Sequence, residues 1–208
     1  DGGNFDWEAA GDRFPMLNSP DQSYHGAIWS QAAKPLGPIA YILRARVILL
    51  RDIGSSMSPF NAFTFIQGIE TLPLRMERHC ENAEKVAQFL SKNDKIEKVI
   101  YPSLMSGIHK ERAEKYMTNG KGALLGFELK GGEEAGKKFI DNLKLLYHVA
   151  NIGDARSLAI HPASTTHSQL SDDEKIASGV TPGYVRLSIG IEHIDDIIED
   201  LQQALDRV

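Results

Sequence analysis

The sequence has little cysteine, no long hydrophobic run and no excess of positive charge. Its single cysteine, Cys80, excludes an internal disulfide and fits a reducing compartment, so we expect a cytoplasmic protein. The most apolar stretch, 39–50, is interrupted by Arg44 and Arg46, and no stretch reaches the roughly 18 apolar residues of a membrane-spanning helix. The net charge of −5 gives a nucleic acid little electrostatic support. We therefore expect neither a membrane nor a nucleic-acid partner.

The common catalytic and metal-binding signatures are also missing. His161 and His167 are six positions apart and have no acid at ligand spacing, so we expect no metal site. No serine lies in a nucleophile elbow, and the glycine-rich pieces 119–122 and 130–132 match neither a phosphate loop nor a dinucleotide-binding turn. Cys80 lies in a helical pattern without an activating neighbour, which favours a helix-face residue over a nucleophile.

The first half of the chain predicts irregular structure followed by a long helix. Residues 1 to about 30 show no sustained period and predict an extended loop. A helical pattern then runs from Pro59 to about Ser91, with Ser58 placed to cap it. Pro73 lies inside this pattern and should kink or split the helix, because proline cannot donate the backbone hydrogen bond.

The second half alternates between strand and helix patterns, which predicts a compact α/β unit. Strands are expected at 96–101, 122–130, 145–150 and 184–190, and helices at 109–117, 133–143, from Ser171 onward and at 194–208. In the last strand Tyr184, Arg186 and Ser188 share one face, because side chains alternate with period two. In the closing helix the acids are expected on the face opposite the apolar residues.

Residues 151–170 are dense in small, hydroxyl and imidazole side chains, and Arg186 follows in a strand that could aim at them. The guanidinium fork of Arg186 suits two-point contact with a carboxylate, and the alternative is a structural ion pair with an acid of the same domain. The hydroxyl residues of the stretch could each donate to a bound anion, although each alone is more typical of a turn or cap. From the residues alone, the chain predicts a carboxylate-binding corner without catalytic machinery.

Several motifs, taken together, resemble the Cys/Met-metabolism family of pyridoxal-phosphate enzymes. They include Ser58-Pro59-Phe60-Asn61-Ala62-Phe63, Gly153-Asp154-Ala155-Arg156-Ser157-Leu158, His161-Pro162-Ala163-Ser164-Thr165-Thr166-His167 and Arg186-Leu187-Ser188-Ile189-Gly190-Ile191-Glu192. The resemblance covers essentially the whole chain. Arg156 stands where relatives that make or cleave cystathionine carry an acid, which favours the sulfhydrylase branch of the family.

The resemblance implies the C-terminal part of a fold-type-I, pyridoxal-phosphate-dependent transferase. Residues 1–60 would be the end of the large cofactor domain. Residues 61–208 would hold the long bent linking helix and a small α/β domain, with a mainly antiparallel sheet and helices on one face.

The resemblance also implies roles for individual residues. Arg186 would clamp the substrate α-carboxylate, and Ser157 would contribute to the same pocket. Thr166 and His167 would line the site, and Asn151 would lie at the neighbouring strand exit. The Schiff-base lysine for the pyridoxal 5'-phosphate cofactor is expected upstream of Asp1, in the missing N-terminal half of the enzyme, and no lysine of this chain is assigned that role.

The activity implied for the complete enzyme is a γ-replacement in methionine biosynthesis. O-acetyl-L-homoserine and sulfide, or a thiol, would give L-homocysteine and acetate, and a homotetramer is expected. Two alternatives remain open: a methionine or cystathionine γ-lyase of the same family, and a lysine-free, non-catalytic binding module.

Overall fold

The computed structural model describes residues 5–208 and divides into two compact units, the first ending at Ile66 and the second spanning Gln67–Val208. Within residues 5–58, the first unit contains only short helical segments and one isolated bridge, between Asp21 and Ala27. Its α-helices are α1 (Pro15–Asn18), α2 (Trp29–Ala32), α3 (Ala40–Arg44) and α4 (Arg51–Ile53), with a π-helical segment at Ala45–Leu50 and 3-10 turns at Gly11–Arg13, Gln22–Tyr24 and Lys34–Leu36. The first four residues of the predicted loop lie outside the described range.

The long helical pattern forms two helices, α5 (Pro59–Glu70) and α6 (Leu72–Leu90), separated at Thr71. The hydroxyl of Ser58 accepts a hydrogen bond from the N–H of Asn61 at 3.1 Å, which confirms the predicted cap. Pro73 occupies the first turn of α6, so the predicted split is confirmed. Its missing N–H removes no hydrogen bond at that position.

The second unit contains one five-stranded sheet in the order β1-β2-β5-β4-β3. The strands are β1 (Ile96–Ile100), β2 (Leu124–Leu129), β3 (Tyr147–His148), β4 (Leu158–Ile160) and β5 (Tyr184–Ser188). All neighbouring strands are antiparallel except β3 and β4, which confirms a mainly antiparallel sheet. The three-residue strand β4 was not predicted, because so short an apolar run shows no period.

Helices cover one face of this sheet, as predicted. The remaining helices are α7 (Gly107–Tyr116), α8 (Gly132–Asn142), α9 (Asp172–Ala177) and α10 (Ile194–Leu205). Helices α6, α8 and α10 pack together and against the sheet. The core between them includes Val185 and Leu187 from one face of β5 and Ile189, the residue directly after it. We call this side of the sheet the helix face.

The opposite side carries the alternate residues of β5, namely Tyr184, Arg186 and Ser188. Arg186 pairs with Gly126 of β2 and with Ile160 of β4. The backbone of the segment between β3 and β4 hydrogen-bonds to this side, so we call it the loop face. Within residues 5–208, no helix is both long enough and apolar enough to cross a lipid bilayer.

Candidate functional site

Arg186 lies at the centre of the loop face, on the middle strand of the sheet. Its Nη2 donates to the carbonyl of Ala150 at 2.6 Å and reaches that of Asn151 at 3.4 Å. Its Nε is buried and makes no hydrogen bond within residues 5–208. No carboxylate in that range forms an ion pair with Arg186, so the alternative of a structural ion pair finds no partner there. An unpaired, partly buried guanidinium is costly, and a carboxylate would satisfy it.

A tyrosine ring lies beside the guanidinium on the same face. Gly126 faces Arg186 across the strand pair, and a Cβ at Gly126 would lie 2.5 Å from the ring of Tyr184. The ring therefore crosses β2 where no side chain stands. Burial raises the pKa of the Tyr184 hydroxyl and the charge of Arg186 lowers it, and the net shift is upward. Tyr184 thus places a neutral, half-buried ring next to the guanidinium of Arg186.

Ser157, just before β4, is fully buried and all of its donors are used inside the chain. Its N–H donates to Glu192 Oε1 at 2.6 Å, and its hydroxyl donates to Glu192 Oε2 at 2.9 Å. The same hydroxyl accepts from the N–H of Gly190 at 2.8 Å. A hydroxyl has one proton to give, and here Glu192 receives it.

The remaining predicted residues differ in how close they come to Arg186. Asn151 has an exposed side chain, and its backbone carbonyl contacts the guanidinium. Thr166 and His167 pair with each other, with the hydroxyl 2.9 Å from Nδ1, and neither hydrogen-bonds to Arg186 in the described chain. The backbone N–H of His167 donates to the carbonyl of Pro162, in a 3-10 turn at Pro162–Ser164 that contacts β5.

His161 is held in place by both ring nitrogens. Nδ1 lies 2.8 Å from the hydroxyl of Ser164, and Nε2 lies 2.7 Å from the carbonyl of Pro182. The ring also fills the space above Gly136 of α8, where a Cβ would overlap it. His161 is therefore a buried structural residue. Within residues 5–208, no cluster of three or more His, Cys, Asp or Glu side chains could hold a metal ion.

Sequence reasoning missed two residues of α6 that hydrogen-bond to the backbone directly after β5. In α6, His79 Nδ1 lies 2.6 Å from the carbonyl of Ile189, and Asn82 donates to the carbonyls of Gly190 and Glu192 at 3.1 and 2.9 Å. Both side chains are buried. The available signal was two polar residues on the buried side of an otherwise apolar helix stripe.

Comparison with known proteins gives a consistent result. The model of the Cys/Met metabolism PLP-dependent enzyme family matches residues 21–206. The chain is 56% identical to an O-acetyl-L-homoserine sulfhydrylase of Leptospira meyeri, over 100% of this chain and 48% of that protein. It is 46% identical to the homocysteine/cysteine synthase of Saccharomyces cerevisiae, again over 100% of this chain and 48% of that protein.

A solved structure agrees with these relatives. A chain from Campylobacter jejuni, described as an O-acetylhomoserine (thiol)-lyase carrying a pyridoxyl-lysine phosphate, superposes with a TM-score of 0.80 at 44% identity. The match covers 94% of this chain and 45% of that one. The chain thus spans about half the length of the relatives it matches.

Proposed function

Because the chain belongs to the Cys/Met metabolism family of PLP-dependent enzymes, we propose that it forms the substrate-carboxylate part of a γ-replacement active site. In the complete enzyme, O-acetyl-L-homoserine and hydrogen sulfide would give L-homocysteine and acetic acid, and a thiol in place of sulfide would give the corresponding S-substituted homocysteine and acetic acid. The names of the relatives support this reaction over the other chemistries of the family.

The observation that carries the proposal is the state of Arg186. Its guanidinium is fixed at one nitrogen by the carbonyl of Ala150, and its buried Nε has no hydrogen-bond partner among residues 5–208. A substrate α-carboxylate would complete this arrangement with charge-assisted hydrogen bonds. Holding the carboxylate fixes the orientation of Cα and of the side chain that bears the leaving acetate, which can contribute several kcal/mol of barrier reduction.

The other residues of the loop face would shape the pocket around that contact. Tyr184 walls one side of Arg186, and Asn151 lies at the exit of β3 next to the guanidinium. Ser157 would contribute by holding its strand in place, and Thr166 and His167 would line the outer part of the site. We keep Asn151, Ser157, Thr166 and His167 as proposed site residues beside Arg186.

The described residues fit the substrate carboxylate, and none of them is assigned to the ring or phosphate of pyridoxal 5'-phosphate. We propose that the cofactor lysine comes from residues outside this chain. When bound, the cofactor supplies the electron sink that lets acetate leave from Cγ. The contribution of this chain is to bind and orient the amino acid through Arg186 beside Tyr184.

We also propose, on the family resemblance, a homotetramer acting in methionine biosynthesis. A cytoplasmic location is proposed from the single cysteine, Cys80.

The test is product analysis with the intact protein that contains this chain. Supplied with O-acetyl-L-homoserine and sulfide, it should form homocysteine and acetate, and its visible absorbance should show bound pyridoxal phosphate. Formation of α-ketobutyrate and ammonia alone would identify a γ-lyase instead. Absence of both product sets, together with absence of cofactor absorbance, would leave a binding module.

A further inference from the structure

The loop 150–157, which joins β3 to β4, is hydrogen-bonded along its length to β5 and the residues after it. At its start, the carbonyls of Ala150 and Asn151 accept from Arg186. In its middle, the N–H of Gly153 donates to the Ser188 hydroxyl at 3.0 Å, and the carbonyl of Ala155 accepts from the N–H of Ile191 at 2.9 Å. At its end, Ser157 donates to Glu192. The loop that orients Arg186 is therefore fixed at several points, and the last of them is a pair of hydrogen bonds to a carboxylate.

Close approach of this loop depends on a glycine. A Cβ at Gly190 would lie 2.5 Å from the backbone carbon of Arg156 and would also overlap the carbonyl of Ala155. Both are backbone atoms, so they cannot turn away as a side chain could. Only glycine allows the 150–157 loop to lie directly on the end of β5.

Glu192 is the acidic residue among these contacts, and a buried residue of α6 holds its backbone. Its carboxylate accepts both the N–H and the hydroxyl of Ser157, and its backbone carbonyl accepts from Asn82 of α6. Bonds to a carboxylate are about twice as strong as those between neutral groups. Glu192 therefore links the buried helix to the end of the loop that carries the Arg186 contacts.

We propose that Glu192 is a positioning residue for substrate-carboxylate recognition. Through Ser157 it holds the 150–157 loop, and the carbonyl of Ala150 at the other end of that loop orients the guanidinium of Arg186. This inference rests on the proposed role of Arg186. Ser157 acts through the same linkage, because its hydroxyl proton is donated to Glu192 and a substrate carboxylate can only accept.

The variant that tests this is Glu192→Gln in the intact enzyme. The amide keeps the shape of the side chain but replaces one accepting oxygen by a donor, which opposes one of the two Ser157 donors. Glu199→Gln is the matched control, because Glu199 is exposed on α10 and carries the same chemical change. Thermal unfolding of each variant shows that it is folded.

The deciding measurement compares L-norvaline with L-norvalinamide, which lacks the carboxylate, by calorimetry. Glu192→Gln should raise the Kd of norvaline roughly tenfold, the equivalent of one lost charge-assisted bond. It should leave the Kd of norvalinamide within about twofold, and in turnover it should raise KM for the amino-acid substrate more than it lowers kcat. Glu199→Gln should change none of these. Equal weakening of both ligands would show a general structural role and overturn the proposal.

A double-mutant cycle tests whether Glu192 acts through Arg186. In an Arg186→Lys background, Glu192→Gln should weaken norvaline binding by no more than about twofold further, because coupled residues are not additive. Fully additive losses would overturn the proposal. Should Glu192→Gln fail to fold, Ser188→Ala removes the Gly153 contact of the same loop and should give the same selective loss for norvaline.

Failure of this inference can be distinguished from failure of the proposed function. The ligand pair reports carboxylate recognition whatever reaction the wild-type enzyme performs. A wild-type enzyme that forms no homocysteine but still prefers norvaline to norvalinamide would refute the reaction alone. Unchanged preference in Glu192→Gln would refute the role of Glu192 alone.

Discussion

The two faces of the sheet differ sharply although they belong to the same strands. On the helix face, Val185, Leu187 and Ile189 are fully buried among apolar side chains of three helices. On the loop face, Tyr184 and Arg186 are half-buried, and backbone groups of nearby loops satisfy only part of the hydrogen-bonding capacity of Arg186. Apolar burial dominates the folding free energy, whereas unsatisfied polar groups favour ligand binding. Along β5, Val185 and Leu187 therefore contribute to stability, whereas Tyr184 and Arg186, which alternate with them, are available for ligand binding.

The largest effect on stability is expected on the helix face, for Phe127→Ala. Phe127 is fully buried and packs edge-on against Phe139, with ring centroids 5.4 Å apart. Truncation should cost about 3–5 kcal/mol, from lost transfer free energy and the cavity left behind. Thermal and denaturant unfolding of the intact enzyme measures this cost.

Leu124→Ala is the control for Phe127→Ala, because Leu124 lies on the loop face of the same strand and is 43% exposed. It should cost much less, since much of its surface already contacts water in the folded state. Similar losses for both variants would contradict the division between the faces.

On the loop face, Arg186→Lys should impair substrate binding and leave stability almost unchanged. Lysine keeps the charge but loses the two-point contact, worth about 1.5–3 kcal/mol, so KM for O-acetylhomoserine should rise at least about tenfold. The midpoint of thermal unfolding should change little, because the guanidinium pairs with no acid of residues 5–208. An unchanged KM would remove Arg186 from the site.

Gly136→Ala tests the contact between α8 and His161, the residue directly after β4. A Cβ there would overlap the ring of His161, which is fixed at both nitrogens and cannot rotate without losing a hydrogen bond. We expect a loss of about 1–3 kcal/mol in unfolding free energy, as for overpacking elsewhere. An unchanged thermal midpoint would show that His161 moves freely.

The smallest effect concerns α9, which begins at the capping box formed by Ser171 and Glu174. The N–H and hydroxyl of Ser171 donate to Glu174 and hold the pKa of its carboxyl below the usual value. A lowered folded-state pKa means that this stabilisation is present above the unfolded-state pKa and is lost as the pH falls through the folded-state pKa.

Glu174→Gln should therefore speed amide exchange in α9 slightly at neutral pH. In strong acid, where the wild-type carboxyl is protonated, the variant and the wild type should exchange alike. A difference that persists in acid would show that the charge of Glu174 is irrelevant to the cap.

Strong periodicity and local chemistry in the sequence predicted most elements of the second unit. The alternation in β5 was confirmed because a half-buried strand must place every second residue on the core. The capping box at Ser171 and the split at Pro73 were confirmed because both are interactions within one turn of helix. The proposed roles of Thr166 and His167 stay predictions, since no contact joins them to Arg186 in the described chain.

The closing helix shows where pattern reasoning failed. Asp200 was expected on the exposed acidic face of α10, but it is buried, at 5% exposure. Its carboxylate accepts the N–H groups of Lys144, Leu145 and Leu146, at 2.8, 2.9 and 3.0 Å. The three donors lie more than fifty positions earlier in the chain, so no local pattern could reveal them.

The sequence by itself determined the α/β class, the approximate positions of the helices in the second unit, the face of β5 that carries Arg186 and the family resemblance. These depend on contacts between residues close in the chain or on whole motifs. Only the tertiary structure decided that Glu192 accepts from both donors of Ser157 and that Nε of Arg186 finds no hydrogen-bond partner in the described part of the chain. Hydrogen bonds between distant segments depend on how strands and loops meet in space. The carbonyls of Ala150 and Asn151 therefore reach Arg186 only because the loop 150–157 is held against β5.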